Sequence, residues 1–478
     1  MTSPPSNPSA SQPQALRSGS HRRRPLPRAL AVTALLGGIA GLAGLLALGA
    51  WILGRPAPPH RPIAASWRVA DALGANDPSR AKAPASGFAR ARGSRPFIFP
   101  ADHGPHPDFR TEWWYYTGNL ASRDGRRFGF QLTFFRNSLA PPGDTAAVRT
   151  SAWATRQVYF AHFALTDAAG RRFHATERWE RGAAGLAGAQ AEPFRVWVGD
   201  WSATAASAGS SAAPRNAGST ASAGPDRNAA SPATSAAGAK PPAAATPPMH
   251  LTARAGADAL DLLLTGSLPP VLQGDHGFSP KSAEPGNASY YYSLPRLAAA
   301  GTLRLGGETV AVAGSAWMDR EWSTSSLAPD EVGWDWFALQ LDDGWELMLY
   351  RLRRRPRNAA AAATAASLVD LGDLVDPASR ATLIAPDGTT EVLPPTAWRL
   401  AETAAWTSPV TGTRYPAAWR LSLPAAAGPP RLAVAVQPIL PDQELALSFR
   451  YWEGAVDVRG THAGRAVTGR GYVELTGY

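Results

Sequence analysis

The sequence predicts an all-β protein built from two consecutive antiparallel β-barrels, and three observations carry that expectation. Aromatic and aliphatic residues alternate with small or polar ones along Phe128-Gly129-Phe130-Gln131-Leu132-Thr133-Phe134, the period of a strand with one face in a core. Asp124-Gly125, Asp343-Gly344 and Asp387-Gly388 stand between extended runs, where tight hairpins need a residue that accepts positive φ. No amphipathic helix of three or more turns can be read after residue 56.

An internal repeat sets the number of barrels. Trp113-Trp114-Tyr115-Tyr116 leads through Asp124-Gly125 to a strand ending Phe134-Phe135-Arg136, and Trp334-Asp335-Trp336-Phe337 leads through Asp343-Gly344 to one ending Leu349-Tyr350-Arg351. Gly314-Ser315-Ala316-Trp317-Met318-Asp319 parallels Gly469-Arg470-Gly471-Tyr472-Val473-Glu474 in the same way. An opening hairpin and a closing strand thus each occur twice. Closure into a barrel is the economical outcome because it removes exposed sheet edges. The expected divisions are 97–331 for the first barrel, with a disordered Ala/Ser/Gly/Pro insertion at 202–248, and 332–478 for the second.

Charge and hydropathy place the folded part outside the cytoplasm. Residues 1–28 form a polar tail ending in His21-Arg22-Arg23-Arg24 and Arg28, and an uncharged run of Ala, Leu, Gly and Val follows at 29–54. About 20 such residues span a bilayer, and the basic flank stays cytoplasmic. The segment reads as an uncleaved anchor, with Ala47 and Gly49 offering a peptidase site as the alternative. Residues 55–96 read as a flexible tether, which gives a cell-envelope protein whose barrels are periplasmic or extracellular.

Composition excludes several classes of function. The net charge of +10 arises in the first 95 residues, which hold 13 Lys+Arg and 2 Asp+Glu, leaving the rest about neutral (10 − 11 = −1). The folded surface therefore lacks the basic field that nucleic acid requires, and no nucleic-acid partner is expected. With 0 Cys, disulfides, thiol catalysis and thiolate metal sites are absent. No Gly-x-Ser-x-Gly elbow, phosphate loop, dinucleotide fingerprint or His-Glu-x-x-His helix occurs. Asp102, His103, His106, Asp108 and Glu112 are ligand types, but their spacing matches no metal site, and they read as a loop capping a barrel mouth. Neither a metal nor a cofactor is expected.

Phe99-Pro100-Ala101-Asp102-His103-Gly104-Pro105-His106-Pro107, Thr111-Glu112-Trp113-Trp114-Tyr115-Tyr116-Thr117-Gly118, Asp319-Arg320-Glu321-Trp322-Ser323-Thr324, Tyr451-Trp452-Glu453-Gly454 and the terminal Gly471-Tyr472-Val473-Glu474-Leu475-Thr476-Gly477-Tyr478 together resemble the AttH/CrtC, carotenoid 1,2-hydratase-like, family. The resemblance covers nearly everything from residue 97. It implies two lipocalin-like barrels and, in the hydratase branch, cofactor-free addition of water to a terminal isoprenoid alkene. That branch uses a His-x-Trp pair and a later Tyr-x-Asp pair. The corresponding positions here are Tyr290, Tyr292, Trp317 and Asp319, so only the acid is kept.

The resemblance implies Asp319 as general acid, with an ion pair to a neighbour such as Arg320 as the plainer role for the same carboxyl. Ligand contacts are expected from Trp113, Trp114, Tyr116, Tyr290, Tyr292, Trp317, Trp334 and Trp336, since every second side chain of a barrel strand points inward. His162 is expected to be a satisfied core histidine. The first function expected is binding of an elongated apolar lipid or isoprenoid, and the alternative is a hydratase-like hydro-lyase. A third is service as a partner of an envelope transport complex.

Overall fold

The structure, a computed structural model, describes residues 67–68, 87–144, 151–206, 247–324, 327–328, 330–355 and 375–478. The basic tail and the membrane segment expected at 1–28 and 29–54 lie outside them, as does most of the expected insertion, 207–246. Among the described residues no helix is long and apolar enough to cross a membrane. Helical structure there is limited to two 3₁₀ turns, Ala101–His103 and Pro395–Ala397.

In chain order the first group of strands is β1 (Trp67–Arg68), β2 (Thr111–Ser122), β3 (Arg127–Ser138), β4 (Gln157–Asp167), β5 (Arg172–Arg181), β6 (Ala187–Gln190), β7 (Arg195–Val198), β8 (Trp201–Ala205), β9 (Met249–Ala255), β10 (Asp258–Gly266), β11 (Val271–Leu272), β12 (Phe278–Pro280), β13 (Ala288–Leu305) and β14 (Glu308–Ser323). The second group is β15 (Glu331–Leu341), β16 (Glu346–Arg354), β17 (Arg380–Ile384), β18 (Thr390–Leu393), β19 (Arg399–Thr407), β20 (Arg414–Leu423), β21 (Leu432–Pro438), β22 (Glu444–Ala446), β23 (Phe449–His462) and β24 (Arg465–Thr476).

Two curled antiparallel sheets result. The first runs β5-β4-β3-β2-β14-β13-β10-β9-β8-β7-β6, and the second β18-β17-β16-β15-β24-β23-β21-β20-β19. In each, the closing strand returns to pair with the opening one, β14 with β2 and β24 with β15. The only unpaired edges along each path belong to chain neighbours, β5 and β6 or β18 and β19, so each sheet is a barrel with one seam. The three Asp-Gly pairs sit in the β2–β3, β15–β16 and β17–β18 turns, with glycine φ of +87°, +90° and +85°, the left-handed backbone that these turns demand.

Both barrel interiors are filled. Trp114, Tyr116, Phe128, Phe130, Leu132, Phe134, Tyr292 and Trp322 belong to the first core, and Phe337, Leu339, Trp419, Trp452 and Val473 to the second. A third apolar cluster, which includes Tyr115, Trp317, Trp336, Met348, Ala455 and Tyr472, joins the outer faces of the opening and closing strands. That is why β2 and the second half of β14, residues 316–323, are buried on both faces instead of alternating. Each such ring covers about 150–250 Å², worth about 4–6 kcal/mol of transfer free energy. Asn119 Nδ2 donating to Gly471 O at 2.8 Å and Thr166 Oγ1 donating to Gln443 Oε1 at 2.8 Å tie the barrels across this seam.

Ordered contacts begin before residue 97, inside the stretch assigned to the tether. Ala91 is fully buried in the first core, Ala89 N donates to Asp108 O at 2.9 Å, and β1 pairs in parallel with β23. Small and apolar residues suffice there because the barrel supplies the surface they cover.

Candidate functional site between the barrels

Cross-strand register builds the site. One rung of the first sheet runs His162, Thr133, Tyr115, Asp319, Ser293 across β4, β3, β2, β14 and β13. The rung two residues along runs Phe160, Phe135, Trp113, Glu321, Tyr291. Residues directly opposite share a face, and this face looks toward the second sheet. There the rung Tyr350, Trp336, Glu474, Glu453 meets it. Between them lies a cavity of about 90 Å³ lined by these residues, Thr133 and Ser293 excepted, with Lys281, Leu327, Trp334, Leu352, Phe449 and Tyr451. Such a space takes on the order of six waters or the flat part of a small ligand.

Asp319 is the most constrained acid in the cavity. It is 4% exposed. Its Oδ1 accepts from Ser293 Oγ at 2.5 Å and Trp317 Nε1 at 2.7 Å, and its Oδ2 accepts from the Tyr291 hydroxyl at 2.5 Å. Trp336 Nε1 in turn donates to the Tyr291 oxygen at 3.1 Å. All of Asp319's hydrogen-bond donors are neutral. Burial pushes the carboxyl up to about 7, against the opposing pull of Ser293, Tyr291 and Trp317.

Two more acids face it from the second barrel. Burial raises Glu474 to about 8, with Trp334 opposing and the charges of Asp319 and Glu321 adding. Glu453 is pushed well above the carboxylate range by burial and by Glu474, its cross-strand neighbour. Its Oε2 accepts from the Tyr115 hydroxyl at 2.7 Å, and its buried Oε1 has no partner. Glu321 differs, being ion-paired with Lys281 at 2.8 Å. His162 Nδ1 meets the Tyr451 hydroxyl at 2.5 Å, and burial lowers the ring to about 3, so it is neutral.

The AttH-like family profile matches residues 90–226 and 234–478. The chain belongs to the AttH-like family. Among solved structures it is similar to an AttH protein from Nitrosomonas europaea, at 31% identity and TM-score 0.62, covering 82% of this chain and 100% of that one. It also resembles kievitone hydratase from Nectria haematococca in fold, at 15% identity and TM-score 0.52, covering 82% and 98%. No curated protein sequence matches.

In this AttH-like chain four of the expected site residues, Asp319, Trp113, Trp334 and Trp336, line the cavity. Trp317 stands behind Asp319 as a donor. Trp114, Tyr116, Tyr290 and Tyr292 lie on the other face, in the first barrel's filled interior. Tyr292 reaches His103 Nδ1 at 2.6 Å, Tyr290 donates to Gly93 O at 3.1 Å, and Trp114 lies under the Arg320 guanidinium at 3.9 Å. The two-residue period of β13 requires this: Tyr291 and Ser293 take the positions beside Asp319, and their neighbours turn away.

The ion-pair role expected of Asp319 is not the one adopted, because Arg320 points inward to Glu112. His162 is buried with one nitrogen satisfied, yet Nε2 has no hydrogen bond, the carboxylate of Glu177 standing 3.7 Å away. Asp108 of the capping loop is exposed, and the loop's other ligand-type residues are held by protein groups. Asp102 bonds Arg95 and His106, His103 bonds Tyr292, and Glu112 bonds Arg136 and Arg320. Sequence reading missed Tyr115, Tyr291, Lys281, Glu321, Tyr451, Glu453 and Glu474 as cavity residues. The signal for several of them was present, since the repeat already matched Asp319 with Glu474.

Proposed function

We propose that this AttH-like protein performs cofactor-free acid–base chemistry in the inter-barrel cavity, adding water to, or removing it from, an alkene in an apolar isoprenoid- or lipid-like molecule. The observation that carries the reading is Asp319, a buried carboxyl with neutral donors only, opening on aromatic walls. Its neutral form delivers a proton to the less substituted alkene carbon. The faces of Trp113, Tyr115 and Trp336 stabilise the tertiary cation that forms, water adds to it, and the oxonium proton returns to the carboxylate. The sum is addition of one water, with no change in oxidation state. A hydratase among the structural neighbours supports the reading by analogy of scaffold alone. With the anchor at 29–54, the reaction takes place in the cell envelope.

Binding without turnover is the second reading, favoured by Tyr290 and Tyr292 facing the first barrel's interior, which leaves Asp319 without them at the cavity. Incubating the full-length protein with an acyclic carotenoid and with a prenylated phenol in H₂¹⁸O separates the two. A product 20 mass units heavier that disappears in Asp319→Asn supports hydration. Co-purification of an apolar ligand with no heavier product overturns it in favour of binding.

A further inference from the structure

We infer that the inter-barrel cavity is a receptor site for an apolar organic cation, a quaternary or protonated tertiary amine, held by the acidic side chains of Asp319, Glu453 and Glu474 within a ring of tryptophan and tyrosine faces. The inference shares its cavity with the proposed hydration but does not require that reaction to occur.

The charge inventory of the walls points there. Four acids line the cavity, Asp319, Glu321, Glu453 and Glu474, and one cation, Lys281. Lys281 is committed to Glu321 at 2.8 Å, so three acids face one another without a counter-charge. Glu453 is fully buried with Oε1 unpartnered, and a bound cation would complete it. Trp113, Tyr115, Trp334, Trp336 and Tyr451 surround the acids, and aromatic faces attract quaternary ammonium through their quadrupoles. No group of three or more His, Asp or Glu side chains among the described residues could hold a metal ion. The acids are spread along two rungs, which suits a large, weakly hydrated cation.

Entry of such a cation must release protons. Burial pushes Asp319 up to about 7 and Glu474 to about 8, and Glu453 rises further through Glu474. Without a ligand these groups keep protons, and a cation beside them drives one O–H to ionise, its proton passing to the buffer. Burial and pairing move other wall groups away from neutrality. His162 is lowered to about 3, the phenols of Tyr115, Tyr291 and Tyr451 are raised well above their ordinary value, and Lys281 is raised by its pairing with Glu321. Glu331, near Lys281, is raised by burial to about 8, and its Oε2 accepts from Ala328 N at 2.6 Å.

The test uses the full chain in nonionic detergent with two isosteric probes, phenyltrimethylammonium and tert-butylbenzene. Titration calorimetry at pH 6 and pH 8, in phosphate and in Tris, reads affinity and proton release together. The ammonium is expected to bind about tenfold tighter at pH 8, for one group titrating near 7, with protons released in both buffers. The hydrocarbon is expected to bind more weakly and without pH dependence. Asp319→Asn should reduce both ammonium affinity and proton release, whereas Glu453→Gln, which imitates the protonated acid, should leave proton release near the wild-type value. Equal affinity for both probes, pH-independent ammonium binding, or no ammonium binding overturns the inference, and all three are read on the unmutated protein. Heavier product in H₂¹⁸O without ammonium binding removes this inference alone, whereas ammonium binding without product removes only the hydration reading.

Discussion

Asp319→Asn should make the protein more stable at pH 8 and leave it little changed at pH 4. Asn is the shape of the neutral acid. Its oxygen can keep the bonds from Ser293 and Trp317, and its amide can donate to the Tyr291 oxygen once that hydroxyl turns. Holding the carboxyl at about 7 in place of its ordinary 3.8 costs the folded state about 4 kcal/mol where the unfolded chain is fully ionised. Well below pH 3.8 the group is neutral in both states and costs nothing, and at pH 4 the cost is still under about 1 kcal/mol. As pH rises the unfolded chain ionises first, so stability is lost progressively and the loss is complete above about 7. The substitution removes that loss, worth roughly 8–16 °C in the melting temperature of a unit of 150–250 residues. Thermal and urea unfolding of both proteins at pH 4, 6 and 8 measure it. A variant destabilised equally at all three values would mean that Asp319 is an ordinary carboxylate satisfied by its donors, and the proposed acid would go with it.

Tyr291→Phe deletes the donor to Asp319 Oδ2; a bond to a charged group is worth about 1.5–3 kcal/mol, so the Asp319 titration, followed by its carboxyl infrared band, should move upward by about one to two pH units. Glu112→Gln leaves Arg136 and Arg320, both fully buried, without their shared counter-charge, and should cost about 3–5 kcal/mol in urea unfolding. The wild-type carboxylate is held well below its ordinary value because Arg320 and Arg136 outweigh the cost of burial, so its contribution is full above about pH 4.5 and falls away in acid. Gly129→Leu drives a side chain into Ala455 of the second barrel, where even a Cβ would come within 2.7 Å. Overpacking of about 1–3 kcal/mol should accompany loss of cavity binding, measured by melting and by ammonium titration, and intact binding would show that the barrels need not meet there.

Local chemistry made the fold legible. An Asp-Gly pair states its own backbone, so the three hairpins were readable, and two aromatic openings with two glycine-led closings implied a repeated barrel. The orientation of residues within strands was harder to read. Tyr290, Tyr291 and Tyr292 are chemically alike, and a slip of one residue exchanges the faces of a strand. The irregular register between Leu294 and Leu297 also breaks any count carried back from the β13–β14 turn. Alternation offers no help where both faces are buried, and in Trp113-Trp114-Tyr115-Tyr116 a ring in the barrel core alternates with a ring in the inter-barrel seam. Only the cross-strand partners separate them, and those depend on a strand roughly 200 residues away.

The repeat also accounts for why the two acids differ. Tyr115 opposite Asp319 in the first barrel corresponds to Trp336 opposite Glu474 in the second, and the acids face each other across one cavity. Their surroundings have diverged at single positions. Ser293 beside Asp319 corresponds to Glu453 beside Glu474, so one acid gains a donor where the other gains a repelling carboxyl. Trp317 donates to Asp319, whereas Tyr472, at the matching place, has a hydroxyl with no partner. Donors to the charged form hold Asp319 at about 7 despite near-complete burial, and their scarcity leaves Glu474 at about 8. A duplicated pair of carboxyls has thereby become an unequal one, rich in donors at Asp319 and poor in them at Glu474. That asymmetry is what a cavity needs if it is to hold one positive charge, transient or stable, with one carboxylate at a time.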